Sequence, residues 1–337
     1  MQPAPLPPSD LGRYRILSPT AAVRVSPLCL GGMSIGDAWE TMGTQSKDNC
    51  FKVLDAFFDA GGNFIDVANS YQNEQSETWI GEWMAKRQNR KPIHVNFSGN
   101  SAKSLHESLA ASLKKLQTDY IDLLYVYWWD YTCSIPELMQ SLDHLVKAGK
   151  ILYLGVSDTP AWFSVYQGLY NAAKRDAERD ILPMVQDEGM AFAPWGAHGQ
   201  GKFKTQEQLE AMKKAGDQGR TFQGLAKYSP EAIKAITAVL DKIGKSRKVA
   251  LTQIALAYVL AKQPYIFPIV GVRKLEYLQD SIDALKLRLT QEEIDEAYDF
   301  DIGFPHDFTG TRSSENDILK RVGHYDWVEA PKSLNAS

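Results

Sequence analysis

Asp66 and Tyr71 stand five residues apart in the stretch "GGNFIDVANSYQNEQSETWIGEWM". The run "NFID" has the character of a short buried strand, so both residues leave the same strand end. A carboxylate and a phenol placed this way are the outline of an acid–base device. A phenol titrates near pH 10, however, and works poorly as an acid or base at pH 7 unless a nearby cation shifts it. The remaining partners must come from other strand ends.

The elements that would carry them alternate along the chain. The strand candidates are "VSPLCLGG" (25–32), "NFIDV" (63–67), "IHVNF" (93–97), "IDLLYVYWW" (121–129), "ILYLGVSD" (151–158), "FSVYQ" (163–167), "GMAFAPW" (189–195) and "IFPIVG" (266–271). Helical patterns separate them: 46–61, 76–88, 105–117, 134–149 and 250–263. Eight strands interleaved with helices predict parallel β-α units and a closed (β/α)8 TIM barrel of the α/β class. An open doubly wound sheet is the competing architecture, but no GxGxxG follows the first strand. One connection is short. Only "SDTPAWF" separates "LYLGV" from "SVYQ", whereas a parallel crossover needs a dozen residues or more, usually a helix. The barrel is therefore expected to lack a helix between its fifth and sixth strands. Residues 1–20 read as a flexible leader, 21–300 as the barrel and 301–337 as a C-terminal extension packed on it.

Composition narrows the function classes. Of 337 residues, 44% are hydrophobic and 23% charged, enough apolar material for a large core, and the net charge of −4 gives no basic excess for nucleic acid. The proline-rich start lacks the apolar run of a signal peptide, and no stretch approaches the roughly 20 apolar residues of a membrane helix. Cys29, Cys50 and Cys133 form no CxxC pair and read as reduced thiols of a cytoplasmic protein.

In a (β/α)8 barrel the site lies at the C-terminal strand ends. Read in order, those ends give Asp66 and Tyr71, Asn96, Tyr127 with "WWD", "GVSD" (155–158), Gln167 with Tyr170, "APWGAHGQGKF" (193–203) and "VGVRK" (270–274). With "SLKKLQTDYIDLLYVYWWDY", "GKILYLGVSDTPAW" and "DIGFPHDFTG", these segments span nearly the whole chain. The sequence resembles the aldo-keto reductase superfamily, most closely the fungal aryl-alcohol dehydrogenase and norsolorinic acid reductase group.

The resemblance implies carbonyl reduction with NADPH: a tyrosine gives the proton, an aspartate–lysine pair lowers its pKa, and a histidine orients the carbonyl. Asp66 and Tyr71 match the family's aspartate and tyrosine. At the lysine's place in "IATKF" this chain has Asn96, and at the histidine's place in "VHWWDY" it has Tyr127. Asn96 can hydrogen-bond but carries no charge, and Asp66 without its cation needs protonation or neutral donors. Tyr127 keeps a hydroxyl able to donate to a substrate oxygen. His94 reads as a core residue, and Lys103 and His106 as poor substitutes on or beside the outer helix.

For the cofactor, the resemblance implies Ser157, Asp158 and Gln167 at the nicotinamide carboxamide and Tyr170 stacked on the ring. Backbone near Gly196, Gly199 and Gly201 would meet the pyrophosphate, and Arg273, aided by Lys274, the 2′-phosphate. Ser281 stands where an adenine-binding asparagine is expected. Ser76 is expected to cap the helix after Tyr71, Trp128 and Trp129 to pack, and the charges of "KAGKI" and "AAKRDAERD" to form solvated faces. The expected function is NADPH-dependent reduction of aromatic aldehydes or polyketide-derived ketones, or oxidation of the matching alcohols, in secondary metabolism. The alternatives are a protein that keeps the barrel without turnover and a pocket turned to non-redox chemistry. The expected partner is a small carbonyl or alcohol, with neither nucleic acid nor membrane.

Overall fold

The computed structural model describes residues 6–42, 45–88, 93–97, 100–127, 133–157, 164–214 and 228–296; for 93–97 it describes the backbone alone. The chain opens with a hairpin, β1 (Arg15–Ser18) and β2 (Ala21–Val25), and then alternates. The barrel elements are β3 (Cys29–Gly31), α1 (Lys47–Asp59), β4 (Ile65–Ala68), α2 (Gln75–Arg87), β5 (Ile93–Phe97), α3 (Ala102–Lys115), β6 (Ile121–Val126), α4 (Ile135–Lys147) and β7 (Ile151–Ser157). The second part holds β8 (Val165–Leu169), α5 (Ile181–Asp187), β9 (Ala191–Trp195), α6 (Gln206–Lys214), α7 (Pro230–Arg247), α8 (Leu251–Leu260), β10 (Ile269–Val270), α9 (Leu275–Ala284) and α10 (Gln291–Glu296).

Strands β3 to β9 pair in parallel in chain order, and β10 pairs with β3. The ring closes through a parallel bridge between Phe192 of β9 and Ile266. Its hydrogen bonds run from Phe192 N–H to Tyr265 and from Phe267 N–H to Phe192, both 2.8 Å. The last strand is thus split rather than continuous over 266–271, and the break falls at Pro268, which has no N–H to donate. The molecule is the expected (β/α)8 barrel.

Strand alternation sorts the core into two shells. Leu30, Ile65, Val67, Leu124, Val126, Val156 and Phe192 pack outward against the helices. Cys29, Leu123, Tyr125, Val165, Ala191 and Ala193 fill the interior, joined there by Leu17, Ala21 and Val25 of the hairpin. Residues 10–18 are therefore no loose leader. They form a 3-10 turn and a strand of the hairpin, and each fully buried aliphatic there contributes about 1.5–3 kcal/mol.

Serine caps start four of the helices: Ser46, Ser101, Ser134 and Ser229 each accept from a backbone N–H of the first turn of α1, α3, α4 and α7. Helix α2 differs. It follows a left-handed Glu74, and Ser76, the expected cap, lies inside the helix with its hydroxyl donating to Gly32 O at 2.9 Å.

The strands on either side of the short connection are neighbours in the sheet. β7 and β8 pair from Gly155 with Val165 to Ser157 with Gln167, and residues 158–163, including Trp162, lie outside the described residues. Apolar groups of β7 and α4 face solvent. Leu152 is 49% exposed, and Ile135 and Met139 of the neighbouring α4 are 57% and 40% exposed. The C-terminal extension, residues 301–337, also lies outside the described residues.

Candidate active site

Asp66 sits at the second position of β4, between Ile65 and Val67, which pack outward. Alternation turns its carboxyl into the barrel, where the residue is 3% exposed. Oδ1 accepts a hydrogen bond from Gln167 Nε2 at 3.1 Å. Tyr125 and Ser157, both buried, point into the same space from β6 and β7, with Ser157 in register with Gln167. Burial holds the Tyr125 phenol well above its usual pKa, and the neighbouring Asp66 and Cys29 oppose its ionisation further; Gln167 pulls it partly back. Tyr125 is therefore protonated at neutral pH. The Cys29 thiol is likewise pushed up by burial and then by Asp66, which leaves it an inert neutral group. All three cysteines are free and buried.

Tyr71 is half-buried in the loop after β4, where its N–H bonds Ala68 O at 3.1 Å. The next residue fixes that loop. Gln72 is fully buried: its Nε2 donates to Met33 O and its Oε1 accepts from the Trp39 N–H, each at 2.8 Å. Trp39 Nε1 donates to Asn73 Oδ1 at 3.0 Å, and the Asp37 N–H donates to Gln75 Oε1 at 3.0 Å. The Trp39 ring then meets Tyr71 edge to face, centroids 6.2 Å apart. Gln72, Asn73 and Glu74 hold φ of 53°, 52° and 73° in succession, a left-handed run costing roughly 1–2 kcal/mol per residue. The cross-loop hydrogen bonds offset that cost, and strain of this kind concentrates at functional loops.

Asn96 lies in register with Ala68 on one side and Tyr125 on the other. Tyr127 follows β6 directly and is half-buried. Trp128 and Trp129 lie outside the described residues, as do the side chains of His94 and Asn96. Helix α3 turns Lys103 and His106 to solvent, with Lys103 3.8 Å from Glu107, so neither reaches the interior.

The expected cofactor residues divide. Gly196, Gly199 and Gly201 take φ of 72°, 65° and 78°, a conformation other residues adopt only with strain. At Gly199 a Cβ would also strike the Phe203 ring at 2.7 Å. Ser157 and Gln167 face the interior, while Asp158 lies outside the described residues. Arg273 donates from Nη1 to Met42 O at 2.9 Å, and Lys274, the residue before α9, lies 5.7 Å from the Tyr277 ring.

Two expectations do not fit. Tyr170 has no open face to stack on. It is fully buried against Phe192, centroids 5.7 Å apart, and its hydroxyl donates to Glu178 Oε1 at 2.6 Å. Ser281 turns its hydroxyl back to Tyr277 O at 2.8 Å within α9 and is 2% exposed. The "AAKRDAERD" stretch is not a solvated face either. Arg175 is buried and grips Glu178 through Nε at 3.0 Å and Nη2 at 2.7 Å, with Lys262 Nζ 3.5 Å away.

Sequence reading missed Gln72, Trp39, Tyr125 and the Arg175–Glu178 pair. Tyr125 had a visible signal, two residues before Tyr127 on one strand and hence on the same face. The others depend on contacts between distant segments.

Comparison with known proteins identifies the family. The aldo/keto reductase family model matches residues 27–301. The norsolorinic acid reductase B of Dothistroma septosporum is 48% identical over 96% of this chain and 94% of its own length. That alignment runs over 374 residues, more than the 337 present here, so the relative carries stretches without a counterpart in this chain. An aryl-alcohol dehydrogenase of Pestalotiopsis microspora is 46% identical over 99% of this chain and 96% of its own. The solved structure of an aldo/keto reductase from Klebsiella pneumoniae, in complex with NADP and acetate, superposes with a TM-score of 0.63 at 23% identity. It covers 82% of this chain and 91% of its own and shares the fold. With the family model matching most of the sequence and relatives near 48% identity along its length, the chain belongs to the aldo/keto reductase family.

Proposed function

We propose that this oxidoreductase reduces aromatic aldehydes or polyketide-derived ketones with NADPH in the cytoplasm, slowly, with Tyr71 as proton donor. The observation that carries the reading is the pinned loop after β4. Asp66 and Tyr71 leave one strand end, and the buried Gln72 fixes the loop of Tyr71 by two hydrogen bonds. The named activities of the fungal relatives support the substrate class.

The residues present fit a dinucleotide in part. The left-handed glycines of the 196–201 loop leave backbone open to a pyrophosphate, Ser157 and Gln167 offer a hydroxyl and an amide in register, and Arg273 with Lys274 places two cations after β10. NADPH, when bound, supplies a hydride to the carbonyl carbon. Tyr71 gives its phenolic proton to the carbonyl oxygen, and the product is the alcohol. Tyr127 donates a hydrogen bond to that oxygen, as an oxyanion-stabilising hydroxyl does. Asn96 supplies no charge to lower the phenol pKa, so proton transfer is slow.

A second reading is a binding protein without turnover. The engagement of Gln167 by Asp66 favours it, because the amide expected at the cofactor is already occupied. NADPH titration by fluorescence, followed by NADPH consumption with aromatic aldehydes, separates the two. Binding with consumption supports the reductase; binding without consumption across a panel of aromatic aldehydes and ketones rejects it.

A further inference from the structure

Strands β4 and β8 stand four places apart in a ring of eight, so their inward side chains approach from opposite walls. Yet Gln167 Nε2 lies 3.1 Å from Asp66 Oδ1, and both residues are 3% exposed. A carboxyl buried this deeply requires donors. The chain has no lysine at position 96, and the amide of Gln167 meets part of the requirement from across the barrel. The same amide is the group that would hold a nicotinamide carboxamide.

We infer that Gln167 is a positioning residue for Asp66, and that this cross-barrel contact competes with the cofactor for the Gln167 amide. The inference rests on the NADPH reading above and adds to it a specific antagonism between Asp66 and the nicotinamide end. Tyr125, protonated beside both groups, brings no positive charge to relieve it. Binding must release an amide from a carboxyl inside the barrel, where such a bond is stronger than in water.

The test measures NADPH affinity by fluorescence for the wild type, Asp66→Ala, Gln167→Ala and the double variant. Thermal unfolding of the same four proteins without NADPH is measured in parallel. Freeing Gln167 by Asp66→Ala is expected to tighten NADPH about tenfold, the effect of one charge-assisted hydrogen bond. Gln167→Ala is expected to change affinity less than twofold in the wild type and to weaken it about tenfold in the Asp66→Ala background, a strong departure from additivity. Should Asp66→Ala fail to fold, Asp66→Asn keeps the shape with a weaker acceptor and should tighten binding about threefold. Unchanged or weaker affinity in the Asp66 variants, or the same Gln167→Ala factor in both backgrounds, overturns the competition while leaving NADPH binding intact. If none of the proteins binds NADPH, the cofactor reading falls and the competition with it, whereas the unfolding cycle still reports whether Gln167 and Asp66 are coupled.

Discussion

The loop after β4 and the wall at β7–β8 solve opposite problems. At β4 the chain spends three left-handed residues and four cross-loop hydrogen bonds to hold Tyr71 against Trp39. At β7–β8 the strands pair with only a short stretch of sequence between them, and Leu152 of β7 and Ile135 and Met139 of α4 face solvent. After β8 the chain relies on charge: Arg175, Glu178 and Tyr170 form a cluster tied to Lys262. One region is held by backbone geometry and neutral amides, and the segment that follows β8 by an ion pair. The difference teaches that order at the site and regularity of the barrel are separable.

Four experiments break or sharpen that contrast. The largest effect belongs to the ionic side. Glu178→Gln removes the carboxylate that Arg175, Tyr170 and Lys262 share and should cost about 3–4 kcal/mol in urea unfolding. It should also change the acid profile. Burial alone would raise the Glu178 pKa, but hydrogen bonds from Arg175 and Tyr170 and the Lys262 charge bring it below the ordinary 4.5. A depressed folded pKa gives stability that is complete above the unfolded value and lost as pH falls through the folded one. The wild type should therefore weaken below about pH 4.5, and Glu178→Gln should lose that part of the slope.

On the neutral side, Gln72→Ala leaves the Met33 carbonyl and the Trp39 N–H without their partner and should cost about 2–3 kcal/mol. Near-UV circular dichroism should report the loosened Trp39–Tyr71 contact. Gly36→Ala attacks the same loop from the other face. Its φ of 145° and a Cβ 2.4 Å from Gln72 Cβ predict a loss of about 2 kcal/mol in the same assay. The smallest effect is expected at the open wall. Leu152→Lys should change stability by no more than about 0.5 kcal/mol; a larger loss would mean that this face is covered in solution.

Much of this architecture was legible because it is local. The strands, the helices between them and the short β7–β8 connection can each be read within a dozen residues or so. Asp66 and Tyr71 could be paired because one strand end carries both. Ser76 was misread because a cap and an inward serine look alike until Gly32 is seen opposite. Tyr170, Arg175 and Glu178 were misread for a related reason. A charged run resembles a solvated surface until Phe192, Tyr258 and Lys262 enclose it, and those residues come from later segments. Gln72 gave no local signal at all. Its role exists only once the 33–39 loop lies beside it, and a polar residue in a turn is ordinarily solvated.

The hairpin that begins the chain has a consequence for kinetics. Leu17, Ala21 and Val25 fill the barrel's interior from the end away from Tyr71, so among the described residues that end is closed by apolar side chains. If, as proposed, a cofactor lies beside Ser157 and Gln167 and a substrate at Tyr71, both come and go at the end of the barrel that the hairpin leaves open. The pattern of product inhibition, ordered or random, then reports whether one blocks the other.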